Sequence, residues 1–422
     1  MRRWFGAGMA VVVGLSVLFA PTVAGARPAG AHLARGHRRV CRQTHVEKAA
    51  GCQALVVTTT AGGGTPMATP APTGYSPTDL STAYGFPSPV GTTWTWNGRT
   101  VAIVDAYDNP SAASDLAAYR QTFGLPPCTA ASGCFTKAAQ SAKAKLPSGN
   151  VGWGQEIDLD IEMASAVCPQ CKILLVEAKS ASFFDLGAAE NRAASLGATA
   201  ISNSYAGGES FFSSLFESYY NHPGVAITAA SGDSGYGSAY PASSPHVIAV
   251  GGTTLTLDPT TRARVSEGAW SGGGSWCSTS FGQPAWQHGL VTADPSGYVC
   301  VNRTVADVAA DADPQTGVSV FDSYGSSGSN DWFQFGGTSV PTPLIAALFG
   351  LAGDATHNSA YPYPARWLYT HQGSLFDVTS GSNGNATNDC YPDTGDPYYL
   401  CHAKAGFDGP TGLGTPNGTA AF

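Results

Sequence analysis

The stretch Phe335-Gly-Gly-Thr-Ser339-Val-Pro-Thr-Pro343, with the apolar run LIAALFGL at 344–351 behind it, decides how this chain is read. Two adjacent glycines allow a sharp bend and a close approach of backbone to a ligand. The apolar run reads as a buried helix. Ser339 then falls at a helix N-terminus, where unpaired N–H groups favour developing negative charge. That is a good place for a nucleophile, but a serine hydroxyl stays weak until a base takes its proton. The rest of the sequence must supply that base.

Outward from this stretch, short apolar runs recur at 101–104 (VAIV), 172–176 (KILLV), 198–202 (ATAIS), 225–228 (VAIT) and 246–250 (HVIAV). Helical patterns lie between them at 112–123, 155–167, 182–196 and 210–220. Strand–helix alternation with short apolar strands predicts an α/β fold: a central, mostly parallel sheet covered by helices on both faces. Such sheets carry their active sites at the carboxyl ends of the strands. One domain is expected from 73 to 422.

Two acidic segments are candidates for the base. In Gly154-Gln-Glu156-Ile-Asp158-Leu-Asp160-Ile-Glu162-Met-Ala164, acidic and apolar residues alternate strictly, which suggests a strand. The following ASAV and the stop at Pro169 favour a helix instead. As a helix it sets Glu156 and Asp160 one turn apart on one face, where like charges raise the pKa of one of them. A merely solvated acidic face is the alternative. Asp233, in Ser231-Gly-Asp-Ser-Gly235, follows the strand at 225–228 and is placed to point into a site, or else to close a local Asx-turn.

The N-terminus begins Met-Arg-Arg, continues through an apolar stretch at 10–20 and reaches Ala24-Gly-Ala26. This is the pattern of a secretory signal peptide, residues 1–26, and no later run is long enough to span a membrane. Residues 27–72 are first basic (Arg27, Arg35, Arg38, Arg39, Arg42) and then rich in Thr, Gly, Ala and Pro, and read as a short leader or linker. Ten cysteines fall in neighbouring twos, 41/52, 128/134, 168/171, 277/300 and 390/401. An even count in an exported chain suggests five local disulfides, with a redox or zinc role for Cys168 and Cys171 as the alternative. A net charge of -8 argues against nucleic-acid and anionic-membrane partners. A secreted monomer is expected.

Taken together, Gly336-Gly-Thr-Ser339, Ser231-Gly-Asp233-Ser-Gly, the run Tyr240-Pro-Ala-Ser-Ser-Pro-His-Val-Ile-Ala-Val-Gly-Gly-Thr-Thr254 and Glu156-x-x-x-Asp160 resemble the sedolisins. These are serine-carboxyl peptidases of subtilisin-like fold. The resemblance implies a peptidase acting on polypeptides, with Ser339 as nucleophile, Glu156 as general base, Asp160 as the residue that orients it, and Asp233 as oxyanion donor. It also implies a calcium site near the C-terminus. Asp377 and Asp408 would supply carboxylates, and Val378, Lys404 and Gly406 main-chain oxygens.

A glutamate base and a protonated aspartate donor both suit acid conditions. Asp105 ends the first strand and could join a carboxylate relay behind Asp160, as it could stand for the triad aspartate of ordinary subtilisins. That rival needs a histidine, and none of the nine has a suitable context. Asn203-Ser-Tyr205-Ala-Gly-Gly208 resembles the strand along the substrate cleft, with Tyr205 where tryptophan is common. A non-catalytic exported binding protein on the same scaffold is the other class of reading.

Overall fold

Short β-branched and alanine-rich runs build the centre of the molecule, each buried on both faces as a parallel sheet demands. The computed structural model describes Met1 and residues 36–41, 48–60, 64–91, 97–237, 239–290, 299–325, 331–356, 358–384 and 398–422. Residues 2–26 of the expected signal peptide lie outside these.

Three short strands come first, β1 (Gly36–Arg39), β2 (Gly51–Cys52) and β3 (Leu55–Thr58), then helix α1 (Pro77–Tyr84). The main sheet is assembled from β4 (Thr100–Ala106), β5 (Phe135–Ala139), β6 (Lys172–Ala178), β7 (Ala200–Asn203), then, beyond the two-residue β8 (Tyr205–Ala206), β9 (Ala226–Ala230), β10 (Ile248–Leu257) and β11 (Arg264–Ala269). A hairpin follows, β12 (Trp276–Gly282) and β13 (Asn302–Val305), and then β14 (Val308–Asp311), β15 (Val318–Phe321) and β16 (Trp332–Gly336). The order across the main sheet is β11-β10-β9-β7-β4-β6-β5, with β14 beside β10, and every pairing is parallel except β10 with β11.

The remaining helices are α2 (Ala112–Thr122), α3 (Val151–Val167), α4 (Phe183–Ser195), α5 (Glu217–Tyr220), α6 (Pro341–Ala352) and α7 (Ala365–Thr370). Along β4 the side chains alternate between two cores. Val101 and Ile103 share a cluster with Ile157 and Ile161 of α3 and Leu344 and Leu348 of α6. Ala102 and Val104 face the opposite way, with Phe183, Leu186 and Ala193 of α4. The sheet is therefore covered on both faces, as the sequence implies.

The alternating acidic segment is helical. Asn150 caps α3 by accepting from the Trp153 N–H at 3.1 Å, and every residue from Trp153 to Val167 is buried. A helix enclosed on all sides needs no polar stripe, so its charge pattern answers to what each face meets. Glu156 and Asp160 look one way, Asp158 and Glu162 the other. The 210–220 pattern is shorter than expected as an α-helix: a 3₁₀ turn at Phe211–Phe216 precedes α5.

The segment read as leader or linker is no free tether. β3 pairs antiparallel with β16, Val56 opposite Phe335 and Leu55 opposite Gly336, and β1 pairs with β3. β2 pairs antiparallel with β8. These strands escaped the sequence reading because they are two to four residues long and bind to other parts of the chain. Disulfides Cys41–Cys52, Cys128–Cys134, Cys168–Cys171 and Cys277–Cys300 match the expected pairs. Cys401 is disulfide-bonded as well, and its expected partner Cys390 lies outside the described residues.

Candidate active site

Four elements converge on Ser339. β16 delivers it to the start of α6, whose Pro341 stands at the first turn and gives up no useful N–H there. α3 brings Glu156 and Asp160, β4 brings Asp105 at its carboxyl end, and the turn after β9 brings Asp233. Ser339, Glu156, Asp160 and Asp105 are all wholly buried. The structure thus collects the expected side chains in one place.

Burial dominates their protonation. It pushes the Asp105 carboxyl up to about 8, and it drives Glu156 and Asp160 well above the usual carboxylate range. Repulsion from Asp105 raises both further, as Glu156 does to Asp160. Three mutually repelling carboxyls in one buried cluster must share protons. Hydroxyls work against this: Ser339 beside Glu156 and Ser204 beside Asp160 each favour the ionised form. The Ser339 hydroxyl donates to the Ser204 carbonyl at 3.3 Å, and Glu156 Oε1 has no hydrogen-bond partner.

Asp233 sits across from Glu156. Its Oδ1 accepts from the Thr338 N–H at 2.7 Å and from Thr338 Oγ1 at 2.8 Å. Burial raises it to about 6, against the pull of Arg39 and the two Thr338 donors. Gly337 explains the second glycine of the motif. Its φ is +93°, and a Cβ there would collide with the Gln53 carbonyl oxygen and stand 2.7 Å from Asp233 Oδ2.

A peptide already lies in the cleft, and it is the chain's own. Gly51 and Cys52 pair antiparallel with Ala206 and Tyr205, and the Gln53 N–H donates to the Ser204 carbonyl at 3.1 Å. The Ala54 N–H donates to Glu156 Oε2 at 2.9 Å. The Gln53–Ala54 peptide group thus has its N–H on Glu156 and its carbonyl oxygen beside the Gly337–Asp233 corner. Sequence reasoning took 203–208 for a strand that pairs with extended peptide, and missed which peptide. The apolar LVVT at 55–58 was the available signal. Tyr205, in place of tryptophan, turns its hydroxyl to Asn203 Oδ1 at 2.7 Å.

No imidazole among the described residues is hydrogen-bonded to Ser339. His246 pairs with Glu217 at 3.1 Å. On the far face of α3, Asp158 meets Asp115 of α2 and Asp322 after β15, with carboxylate oxygens within 4.8 Å of one another. This cluster was not legible in sequence, because its members come from three elements 43 or more positions apart. Burial and repulsion raise Asp158 far up and Asp322 to about 6. Three buried carboxyls this close repel one another when ionised, which favours protons held between them.

Near the C-terminus the expected calcium ligands lie around one turn. Asp377 Oδ2 accepts from the Gly406 N–H at 3.0 Å, and Asp408 Oδ2 from the Lys404 N–H at 2.9 Å. Asp408 is wholly buried and raised by burial and by the nearby Asp377 carboxylate. Val378 stands next in chain to Asp377. This donor set fits a hard divalent cation.

A profile of the subtilase family matches residues 148–373, more than half of the chain. The chain belongs to the subtilase family, and within it to the sedolisins. It is 30% identical over 378 residues to kumamolisin from Bacillus sp. (strain MN-32), covering 82% of this chain and 63% of that protein. It is 32% identical over 194 residues to sedolisin from Pseudomonas sp. (strain 101), covering 43% of this chain and 29% of that one. The crystal structure of Pseudomonas sedolisin complexed with two molecules of pseudo-iodotyrostatin superposes with a TM-score of 0.65 at 25% identity, covering 82% of this chain and 96% of that chain. The chain thus spans somewhat less than two thirds of kumamolisin and under a third of full-length sedolisin.

Proposed function

We propose that residues 73–422 form a secreted, acid-active serine-carboxyl endopeptidase. The observation that carries this reading is the Gln53–Ala54 peptide, seated with its N–H on Glu156 and its carbonyl against the Asp233 corner. Glu156 takes the Ser339 proton as the hydroxyl attacks the carbonyl carbon. Protonated Asp233 donates from Oδ2 to the oxyanion. Glu156 then passes its proton to the leaving amide nitrogen, which for Ala54 is 2.9 Å from Oε2. The C-terminal fragment departs and an acyl-enzyme remains. Water, deprotonated by the same glutamate, releases it. Asp160 and Asp105 support Glu156: an ionised neighbour raises its proton affinity by repulsion and so makes it a stronger base.

Low pH serves the oxyanion role, since Asp233 must be protonated to donate. Endopeptidase action is favoured over removal of terminal tripeptides by how far the seated peptide runs. Upstream of Gln53, Ala50 N–H donates to the Ala181 carbonyl at 2.9 Å, and the Lys48 carbonyl accepts from the Phe183 N–H at 3.0 Å. The cleft therefore holds six residues before the bond without meeting a chain end.

The turn formed by Asp377, Val378, Lys404, Gly406 and Asp408 would hold one structural calcium ion, which neutralises the two carboxylates. Disulfides accord with an exported protein, and no helix among the described residues is long and apolar enough to cross a membrane.

Incubation of the purified chain with denatured casein or haemoglobin at about pH 3–5, below the value near 6 of Asp233, tests the reading. Acid-soluble peptides are expected, and none from Ser339→Ala. Their absence after every acid treatment would leave a binding protein on a peptidase scaffold.

A further inference from the structure

One leader side chain reaches the catalytic carboxyls. Arg39, from β1, donates through Nη2 to the Asp233 main-chain oxygen at 2.7 Å and to Ser234 Oγ at 3.1 Å. Its Nη1 donates to Gln53 Oε1 at 3.2 Å and stands 3.8 Å from Asp233 Oδ2. It therefore ties together the residue before the seated bond and the carboxyl that must serve its carbonyl.

The two oxygens of Asp233 are not equivalent. Oδ1 is held by both Thr338 donors, whereas Oδ2 is buried without a hydrogen bond and faces the guanidinium. Oδ2 also shares the Gly337 corner with the Gln53 carbonyl oxygen. A proton donated to that carbonyl has to sit on Oδ2. An adjacent guanidinium disfavours it there.

We propose that Arg39 is an electrostatic latch on the uncut chain: it keeps Asp233 ionised, and so unable to donate, until acid protonates the carboxyl and starts self-cleavage at Gln53–Ala54. In that cleavage the water hydroxyl goes to the Gln53 acyl group and a proton to the Ala54 amine. The inference rests on the peptidase reading above and adds a regulatory element that lies within the substrate-mimicking segment itself.

The other charged groups around Asp233 set the direction. Ionised Asp233 raises Glu156 by repulsion, so the two carboxyls interact. His37 and Arg38, on the same strand as Arg39, line a cavity of about 420 Å³ with Asp233, Leu55 and Trp270. Of these side chains, Arg39 is the one that forms an ion pair with the carboxylate, at 3.8 Å. Once Gln53–Ala54 is cut and residues 36–53 leave, the latch leaves with them. The processed enzyme should then stay active to higher pH than the pH at which it can be formed.

The test is the pH dependence of self-cleavage in the full chain, followed by intact mass and compared among wild type, Arg39→Ala, Arg39→Gln and Arg39→Lys. Processed wild-type enzyme, assayed on casein, supplies the reference profile. Wild type should cut itself with an alkaline midpoint below that reference. Arg39→Ala and Arg39→Gln should move the midpoint up by about one pH unit, the scale of a single water-screened charge pair at 3.8 Å. Arg39→Lys should stay near wild type. A merely structural role for Arg39 would change the rate of cutting at every pH and leave the midpoint in place. Unmoved midpoints in chains that process normally would overturn the latch and leave the peptidase intact. If no chain is cut and casein is untouched, the peptidase reading falls as well.

Discussion

Replacing Asp105 by asparagine should flatten the pH dependence of folding stability. The Asp105 carboxyl is wholly buried, neither oxygen has a hydrogen-bond partner, and burial pushes it up to about 8. In the unfolded chain it ionises near the ordinary aspartate value of about 3.9. Between those limits the folded chain holds one proton that the unfolded chain lacks. Its contribution is therefore fully present below about pH 4 and is lost as pH climbs toward 8, at about 1.4 kcal/mol per unit. From pH 4 to 7 that comes to about 4 kcal/mol, a large share of the stability of a typical domain. Asparagine keeps the shape and stays neutral. It also relieves the repulsion that raises Glu156 and Asp160.

The assay is urea unfolding followed by tryptophan fluorescence at pH 4, 5, 6 and 7, in a Ser339→Ala background so that the chain cannot cut itself. The slope of stability against pH should be shallower in Asp105→Asn by about 1.4 kcal/mol per unit. The overall level is set partly by the new amide and decides nothing. Equal slopes in the two proteins would show that Asp105 is ionised in the folded state, and the reasoning about the buried cluster would fail.

Gly337→Ala should reduce casein hydrolysis more than tenfold with the circular dichroism spectrum kept, because its Cβ collides with the peptide carbonyl in a left-handed backbone conformation. Near-normal activity would mean that peptides do not bind as residues 51–54 do. Asp233→Asn in the processed enzyme should lower kcat about 10- to 100-fold while removing the alkaline decline, which begins above the value near 6 that Asp233 has beside Arg39, since an amide donates at every pH. An unchanged decline in kcat/KM against pH would assign that limb to another group. Excess EGTA should lower the melting temperature by several degrees in the wild type and not in Asp408→Ala, read by differential scanning calorimetry. No shift in either protein would leave the turn held by its own hydrogen bonds.

The centre of the fold was legible because its strands are continuous apolar runs and its connections are helical. The acidic segment of α3 shows how period reading fails. Residues 156–163 alternate perfectly, yet the helix is enclosed on all sides and its two acidic faces serve two different carboxyl clusters. Ser339, Glu156, Asp160 and Asp233 were visible as types in suggestive settings, and the fold brings them together. The role of residues 36–58 was hidden. β1 and β2 have no pattern of their own, and their strand character comes from β3, β8 and the cleft. No spacing rule could link Arg39 to Asp233, 194 residues away. The partners of Asp158 were equally out of reach, because Asp115 and Asp322 arrive from separate elements.

N-terminal mass analysis of the acid-incubated full chain, wild type beside Glu156→Gln, puts the most direct question to a carboxyl base acting on Ser339. The wild type should yield a product beginning at Ala54, and the isosteric amide, which cannot accept the serine proton, should stay whole. A Glu156→Gln chain cut at Gln53–Ala54 as fast as the wild type would contradict the account.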